Sequence, residues 1–149
     1  MPYLVFTRHL PLVSPEEVAA RLADRRVFET LLPRYLARIR VTYPDDGERV
    51  PRGTVVEFRP WLFPRRWRVV SRLESPVPGP FAWSWREGPL RGRETWRMDP
   101  DGNGGTLFRR VIEYRAEGPR ERLFWILVAA PVHALVAAVE GHRLGRRLR

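Results

Sequence analysis

Glu94 and Arg110 are the two side chains in this sequence whose placement best suits chemistry. They lie in two strand-like runs, 91–98 and 106–114, joined by the turn-rich Asp99-Pro-Asp-Gly-Asn-Gly-Gly105. Side chains alternate between faces along a strand, so Leu90, Gly92, Glu94, Trp96 and Met98 share one face while Arg91, Arg93, Thr95 and Arg97 share the other. Burying the second face would desolvate three arginines at once, which predicts that the Trp96 face points inward. The second run places Thr106, Phe108, Arg110, Ile112 and Tyr114 on its inward face. A hairpin turning about Gly102 would set Glu94 directly opposite Arg110 and Trp96 opposite Phe108. Such a couple is either a structural ion pair or an oriented polar fixture in an otherwise apolar ligand cavity.

If the couple faces a cavity, it could hold the polar end of an apolar ligand. It could also serve an enzyme, with Glu94 as acid or base and Tyr114 assisting; burial would raise the Glu94 pKa and Arg110 would lower it. Other chemistry is not supported. Asp99-Pro-Asp-Gly-Asn-Gly104 matches half of a calcium loop, but Arg110 stands where a bidentate Glu is required, so the stretch reads as a hairpin turn. No phosphate-binding glycine loop, dinucleotide fingerprint or HExxH is present. His9, His133 and His142 are scattered and cysteine is absent, so no metal or cofactor is expected.

The elements that must position the couple follow from the chain in order. Residues 3–10 predict a first strand closed by Pro11, and Ser14-Pro15-Glu16-Glu17 is a helix start with Ser as cap and acids in the first turn. Val18, Leu22, Val27, Phe28, Leu31 and Leu32 predict two short helices, broken near Asp24 and ended by Pro33. Strands are expected over 35–43, 53–61, 66–74 and 81–87. In the last of these Trp83 and Trp85 share a phase, and Trp83 falls near Glu94. Residues 119–149 predict one long helix. Its segment 123–139 carries no charge, yet it is short for a membrane span and contains Pro131 and His133, so it is read as a helix packed inside a concave sheet. The predicted inner stripe is Phe124, Val128, Pro131, Leu135 and Val139, with a kink at Pro131 and with His133 on the opposite, solvent side.

The chain of 149 residues is long enough for one core and is read as a single domain, 1–149. It is arginine-rich, with no Lys and a net charge of +10. Such a charge can signal nucleic acid or an anionic membrane. Here Arg59, Arg68, Arg72, Arg93, Arg97, Arg109 and Arg115 fall on polar strand phases, interleaved with Glu57, Glu74 and Glu113, which reads as a solvated outer face. Met1-Pro-Tyr-Leu-Val-Phe lacks the pattern of a secretory leader, and a cytoplasmic location is expected.

The order strand, two helices, six strands, long helix resembles the START-like helix-grip superfamily, also called SRPBCC. That superfamily includes the birch pollen allergen, lipid-transfer START domains and polyketide cyclases. The residues carrying the resemblance are Leu10-Pro-Leu-Val-Ser-Pro-Glu-Glu-Val18, Gly53-Thr54, Pro100-Asp-Gly-Asn-Gly-Gly-Thr106 and Glu140-Gly-His-Arg143. The resemblance implies an α+β fold: a seven-stranded curved antiparallel sheet wrapped around the long C-terminal helix, with an apolar ligand cavity between them. Many bacterial relatives carry His-x-His in the sixth strand and an acidic residue in the seventh. This chain has Glu94 and Trp96 at the first pair and Arg110 at the acidic position, which implies a different ligand head group.

The expected ligand wall is Trp83, Trp85, Trp96, Phe108, Ile112, Tyr114, Val128 and Leu135, with Glu94 and Arg110 at the polar end. The expected mouth is Trp61, Phe63, Leu90 and Phe124. Apolar tips there beside arginines would suit transient contact with an anionic membrane. The favoured function is a noncatalytic carrier or sensor of a lipid, isoprenoid or polyketide-like molecule. A polyketide cyclase or dehydratase is the alternative. Nucleic-acid binding through the basic face ranks below both, because the aromatics fall in the inward phase.

Overall fold

The alternating pattern produces seven strands: β1 (Tyr3–Leu10), β2 (Ala37–Thr42), β3 (Val55–Pro60), β4 (Val69–Leu73), β5 (Phe81–Glu87), β6 (Arg91–Pro100) and β7 (Thr106–Arg115). In the computed structural model, which describes residues 3–61, 68–75, 81–87, 91–116 and 118–148, they form one antiparallel sheet in the order β1-β7-β6-β5-β4-β3-β2. The β1–β7 pair joins the two ends of the chain. Every other neighbouring pair is consecutive in sequence.

Two helices, α1 (Pro15–Ala23) and α2 (Arg25–Leu31), follow β1. The Ser14 hydroxyl accepts from the Glu17 N–H, and Pro15 occupies the first turn, where a missing N–H costs nothing. Asp24 makes the break between the helices: its backbone ends α1, and its carboxylate accepts from the N–H groups of Arg26 and Val27 to start α2. This pins Val18, Leu22 and Phe28 against the sheet, all essentially without solvent exposure.

The β6–β7 hairpin departs from the expected register by two residues. Trp96 pairs with Arg110, Met98 with Phe108 and Glu94 with Ile112, so neither Glu94 and Arg110 nor Trp96 and Phe108 are directly opposite. The cause lies in the turn. Pro100 still pairs with Thr106, and the Asp101 carboxylate accepts from the N–H groups of Asn103 and Gly105, closing a wide loop centred on Asn103 instead of a tight one at Gly102. Between β5 and β6 the expectation holds, with Trp83 directly opposite Glu94. A register shift at Val70/Ser71 marks a bulge between β4 and β5, a device that bends a sheet. Gly92 lets the sheet close over Trp85, since a Cβ there would lie 2.4 Å from the Glu113 carbonyl oxygen and 3.0 Å from the Trp85 ring.

The C-terminal helix is built in three parts: α3 (Pro119–Phe124), a π-helical turn (Trp125–Ala129) and α4 (Ala130–Arg147). A proline ring collides with the carbonyl four residues earlier in a regular helix, and the widened turn directly precedes Pro131. The predicted inner stripe is displaced by about one residue, already at Trp125 where the turn begins. Trp125, Ala129, Val136, Gly141 and Leu144 are the buried residues, while Leu135 is 51% exposed, Pro131 is exposed and Val128 is only half-buried. The core accordingly divides in two. A larger cluster joins α1 and α2 to Phe81, Trp83, Trp96 and Phe108; a smaller one joins Trp85, Ile112, Trp125 and Ala129.

Candidate functional site: an ion-paired cluster in an apolar cavity

Bending the sheet around α4 leaves a cavity of about 240 Å³ between α2, α4 and the concave strand faces. Phe28 and Leu31 of α2, Leu32 just after it, Val56 and Phe58 of β3, Trp83 and Trp85 of β5, and Val132 and Val136 of α4 make its apolar wall. The aromatic part is tightly organised. Trp83 stacks on Phe28 with ring centres 5.6 Å apart, and Trp85 stacks on His133 at 5.8 Å.

Charged groups enter this wall at one cluster. Trp96 Nε1 and Arg110 Nε each donate to Glu94 Oε1 at 2.6 Å, Arg110 Nη2 lies 2.5 Å from the same oxygen, and Arg110 Nη1 donates to Glu140 Oε2 at 2.5 Å. The long arginine side chain spans the diagonal created by the shifted register, and its guanidinium sits 5.6 Å from the centre of the Trp96 ring opposite it. Side-chain exposure is 7% for Arg110, 10% for Glu94 and 12% for Glu140, so the three charges are shielded from water together.

Burial pushes the Glu94 carboxyl up, but Arg110, His133 and the hydrogen bonds from Trp96 and Arg110 together outweigh it and hold the pKa below the usual carboxylate range. Glu140 goes the other way. Burial, reinforced by the Glu94 charge, raises it to about 7 against the pull of Arg110 and Arg143. For His133, burial together with Arg110 lowers the pKa to about 4 despite Glu94, so its imidazole is neutral around pH 7.

Of the residues expected at the site, Glu94, Arg110, Trp83, Trp85 and Trp96 line the cavity together. Phe108, Ile112, Tyr114, Val128 and Leu135 do not. Phe108 packs edge-on against Trp96 and faces a second groove formed with β1. Ile112 is fully buried in the smaller core cluster, and Tyr114 stacks on Trp125 with centres 3.8 Å apart. At the expected mouth, Trp61 is 58% exposed, with its indole N–H donating to the Arg34 carbonyl at 3.4 Å, and Phe124 packs beside the smaller cluster. Phe63 and Leu90 lie outside the described residues.

Sequence reasoning placed His133 at the surface, on one face with Arg122 and Glu140; His133 and Glu140 both line the cavity. Their shared face was legible from spacing, but its direction was not. Positions seven apart share a helix face, and Glu140 ends an uncharged segment on the same face as His133. A buried Arg110 with a second fork of its guanidinium free would demand such a carboxylate.

With this geometry in view, a family model described as polyketide cyclase / dehydrase and lipid transport matches residues 1–148. The chain belongs to this family. Its fold is the helix-grip arrangement, as solved structures also show. The TTHA0849 protein of Thermus thermophilus superposes with a TM-score of 0.66 at 21% identity, covering 99% of this chain and 97% of that one. A Thalictrum flavum norcoclaurine synthase point mutant in complex with a transition-state analogue has a TM-score of 0.69 at 14% identity, covering 98% and 96%. The jhp0584 protein of Helicobacter pylori has a TM-score of 0.64 at 14% identity, covering 99% and 88%. No curated protein matches the chain.

Proposed function

We propose that this member of the polyketide cyclase / dehydrase and lipid transport family binds and carries a small apolar molecule of the lipid, isoprenoid or polyketide kind. The observation that carries the reading is the cavity itself: about 240 Å³ of largely apolar space with its charged groups gathered in one cluster. Trp83, Trp85, Trp96 and Phe28 supply the wall, and the Glu94–Arg110–Glu140 cluster meets the ligand's polar end. Native mass spectrometry of protein purified from a lipid-containing host should show a bound apolar adduct. Protein that is empty in every preparation and takes up no added lipid would end the carrier reading.

One observation favours the enzymatic alternative, a cyclase or dehydratase. Glu140, at about 7, is poised to exchange a proton near neutral pH, whereas Glu94 is held ionised and Tyr114 is stacked away from the cavity. Incubating the co-purified molecule with fresh protein decides between the two: loss of water or ring closure marks an enzyme, unchanged ligand a carrier.

Transient docking on an anionic bilayer belongs to the same proposal. Leu123, Ile126, Leu127 and Leu135 stand 51–64% exposed on the outer side of the C-terminal helix. The exposed Arg120 and Arg122 flank them at one end, and Arg146 and Arg147 at the other. Pairing this face with a second copy would bring like charges together, whereas an anionic lipid surface is complementary to them. Val132 belongs to both the cavity wall and the exposed helix surface, so a docked helix would bring the cavity rim to the bilayer. Co-sedimentation with vesicles of phosphatidylcholine and phosphatidylserine should exceed that with phosphatidylcholine alone and fall on Ile126→Asp; equal sedimentation with both compositions would refute the docking. On the outer sheet face arginines are interleaved with acidic and small polar side chains, with Arg59 and Glu57 paired at 2.7 Å, which is the pattern of a solvated surface and supports no nucleic-acid reading.

A further inference from the structure

The polar cluster has a directional imbalance. All three guanidinium nitrogens of Arg110 are engaged with carboxylates, and Trp96 Nε1 is likewise used. Each carboxylate, in contrast, is engaged through one oxygen only. Glu94 Oε2 and Glu140 Oε1 accept from no donor among the described residues, although both side chains are about nine-tenths buried and both line the cavity. Among the described residues the fully buried side-chain polar atoms without a partner are the indole N–H groups of Trp83 and Trp125, whereas these two carboxylate oxygens are not sealed off and stay open to a ligand; an ionised carboxylate oxygen can only accept, so a group that brings hydrogens suits them.

Charge points the same way. Two carboxylates surround one guanidinium, and the neighbouring His133 is neutral around pH 7. With both glutamates ionised the cluster lacks one positive charge, and the empty protein supplies it by protonating Glu140. The groups facing Glu140 are Arg110 of β7, Glu94 of β6, Arg143 of its own helix and Tyr35 before β2, and none adds a further cation inside the cavity. Aromatic faces of Trp83, Trp85 and Trp96 beside the cluster attract cations as well.

We infer that the cavity selects an apolar amine, whose ammonium group donates to Glu94 Oε2 and Glu140 Oε1, in preference to a fatty carboxylate or phosphate. The inference rests on the proposed apolar-ligand reading and names the head group for it. Binding of the cation releases the Glu140 proton to solvent, so atoms and charge balance without any other reactant.

Octylamine, octanol and octanoate share one chain and differ in head group, and over pH 6 to 8 the first stays cationic and the last anionic. Isothermal titration calorimetry should give octylamine the highest affinity of the three at pH 8. Its affinity should rise about tenfold from pH 6 to pH 8, as expected for a site that must lose a proton with a pKa of about 7. Repeating the titration at pH 6 in two buffers of different ionisation enthalpy should report release of nearly one proton per amine bound, a measurement made on the unaltered protein. Glu140→Gln should remove the pH dependence and narrow the gap between octylamine and octanol. Octanoate binding as well as octylamine, or octylamine affinity that is flat with pH, would overturn the head-group inference alone. Binding of none of the three would overturn the cavity reading along with it.

Discussion

Glu140→Gln also provides a sharp test of the cluster's electrostatics through stability alone. The Glu140 pKa is raised from 4.5 to about 7 in the folded chain. For a group with a raised folded-state pKa, the unfolded chain binds fewer protons than the native one in the window between the two values. Stability from this group is therefore complete below pH 4.5 and lost as pH rises through about 7. Integrated from pH 5 to pH 8, the loss is about 2–3 kcal/mol. His133 opposes it. Its pKa falls from 6.5 to about 4, so stability is lost below pH 6.5 and regained above it, by about 2 kcal/mol over the same interval. The two contributions nearly cancel, and they would leave the parent protein with a deceptively flat profile over this interval. Gln keeps a carbonyl for Arg110 Nη1 but cannot ionise, so the difference in unfolding free energy between parent and Glu140→Gln should shift by about 2–3 kcal/mol between the two pH values, in favour of Gln at pH 8. His133 is present in both chains and drops out of this difference. Urea denaturation at pH 5 and pH 8, followed by tryptophan fluorescence, measures it directly. Parallel pH profiles for the two proteins would refute the claim that Glu140 is a buried carboxyl held protonated by its surroundings.

Three further outcomes follow from the same geometry. Arg110→Ala leaves two buried carboxylates facing each other without their cation, and chemical denaturation at pH 8 should show a loss of about 3–5 kcal/mol, partly recovered at pH 5 where the carboxyls take up protons. Gly92→Ala drives a Cβ into the Glu113 carbonyl and the Trp85 ring, so it should lower stability by at least 1–3 kcal/mol and alter near-ultraviolet circular dichroism through the displaced indole. Ser14→Ala removes the acceptor for the Glu17 N–H and should cost about 1 kcal/mol in the same assay without changing ligand affinity, since α1 contributes no residue to the cavity wall.

Period and punctuation made most of the fold legible in the residues themselves. Alternation marked the strands, the Ser14 cap and the Asp24 break marked α1 and α2, and the arginine row marked the outer face, because each of these is decided by a few neighbours along the chain. The inward phase of Glu94, Trp96 and Arg110 was legible for the same reason: three arginines cannot be buried on the other side. Register was not. A wide loop held by Asp101 replaced the expected tight turn, moving every partner across β6 and β7 by two while leaving each residue on its own face.

The inner face of the last helix was decided only in three dimensions. Local hydrophobicity favoured Val128 and Leu135 for the interior, yet the inward stripe runs about one residue further along, through Trp125, Ala129 and Val136, which leaves Leu135 exposed and brings His133 and Glu140 in. Composition along one helix cannot anticipate that exchange, because burying Glu140 is favourable only where Arg110, thirty residues earlier in the chain, has a guanidinium edge still to be satisfied. The chain alone determined which strand faces would meet inside. Folding determined which charges meet there, since long-range ion pairing depends on how distant segments are juxtaposed and not on the neighbours of either residue.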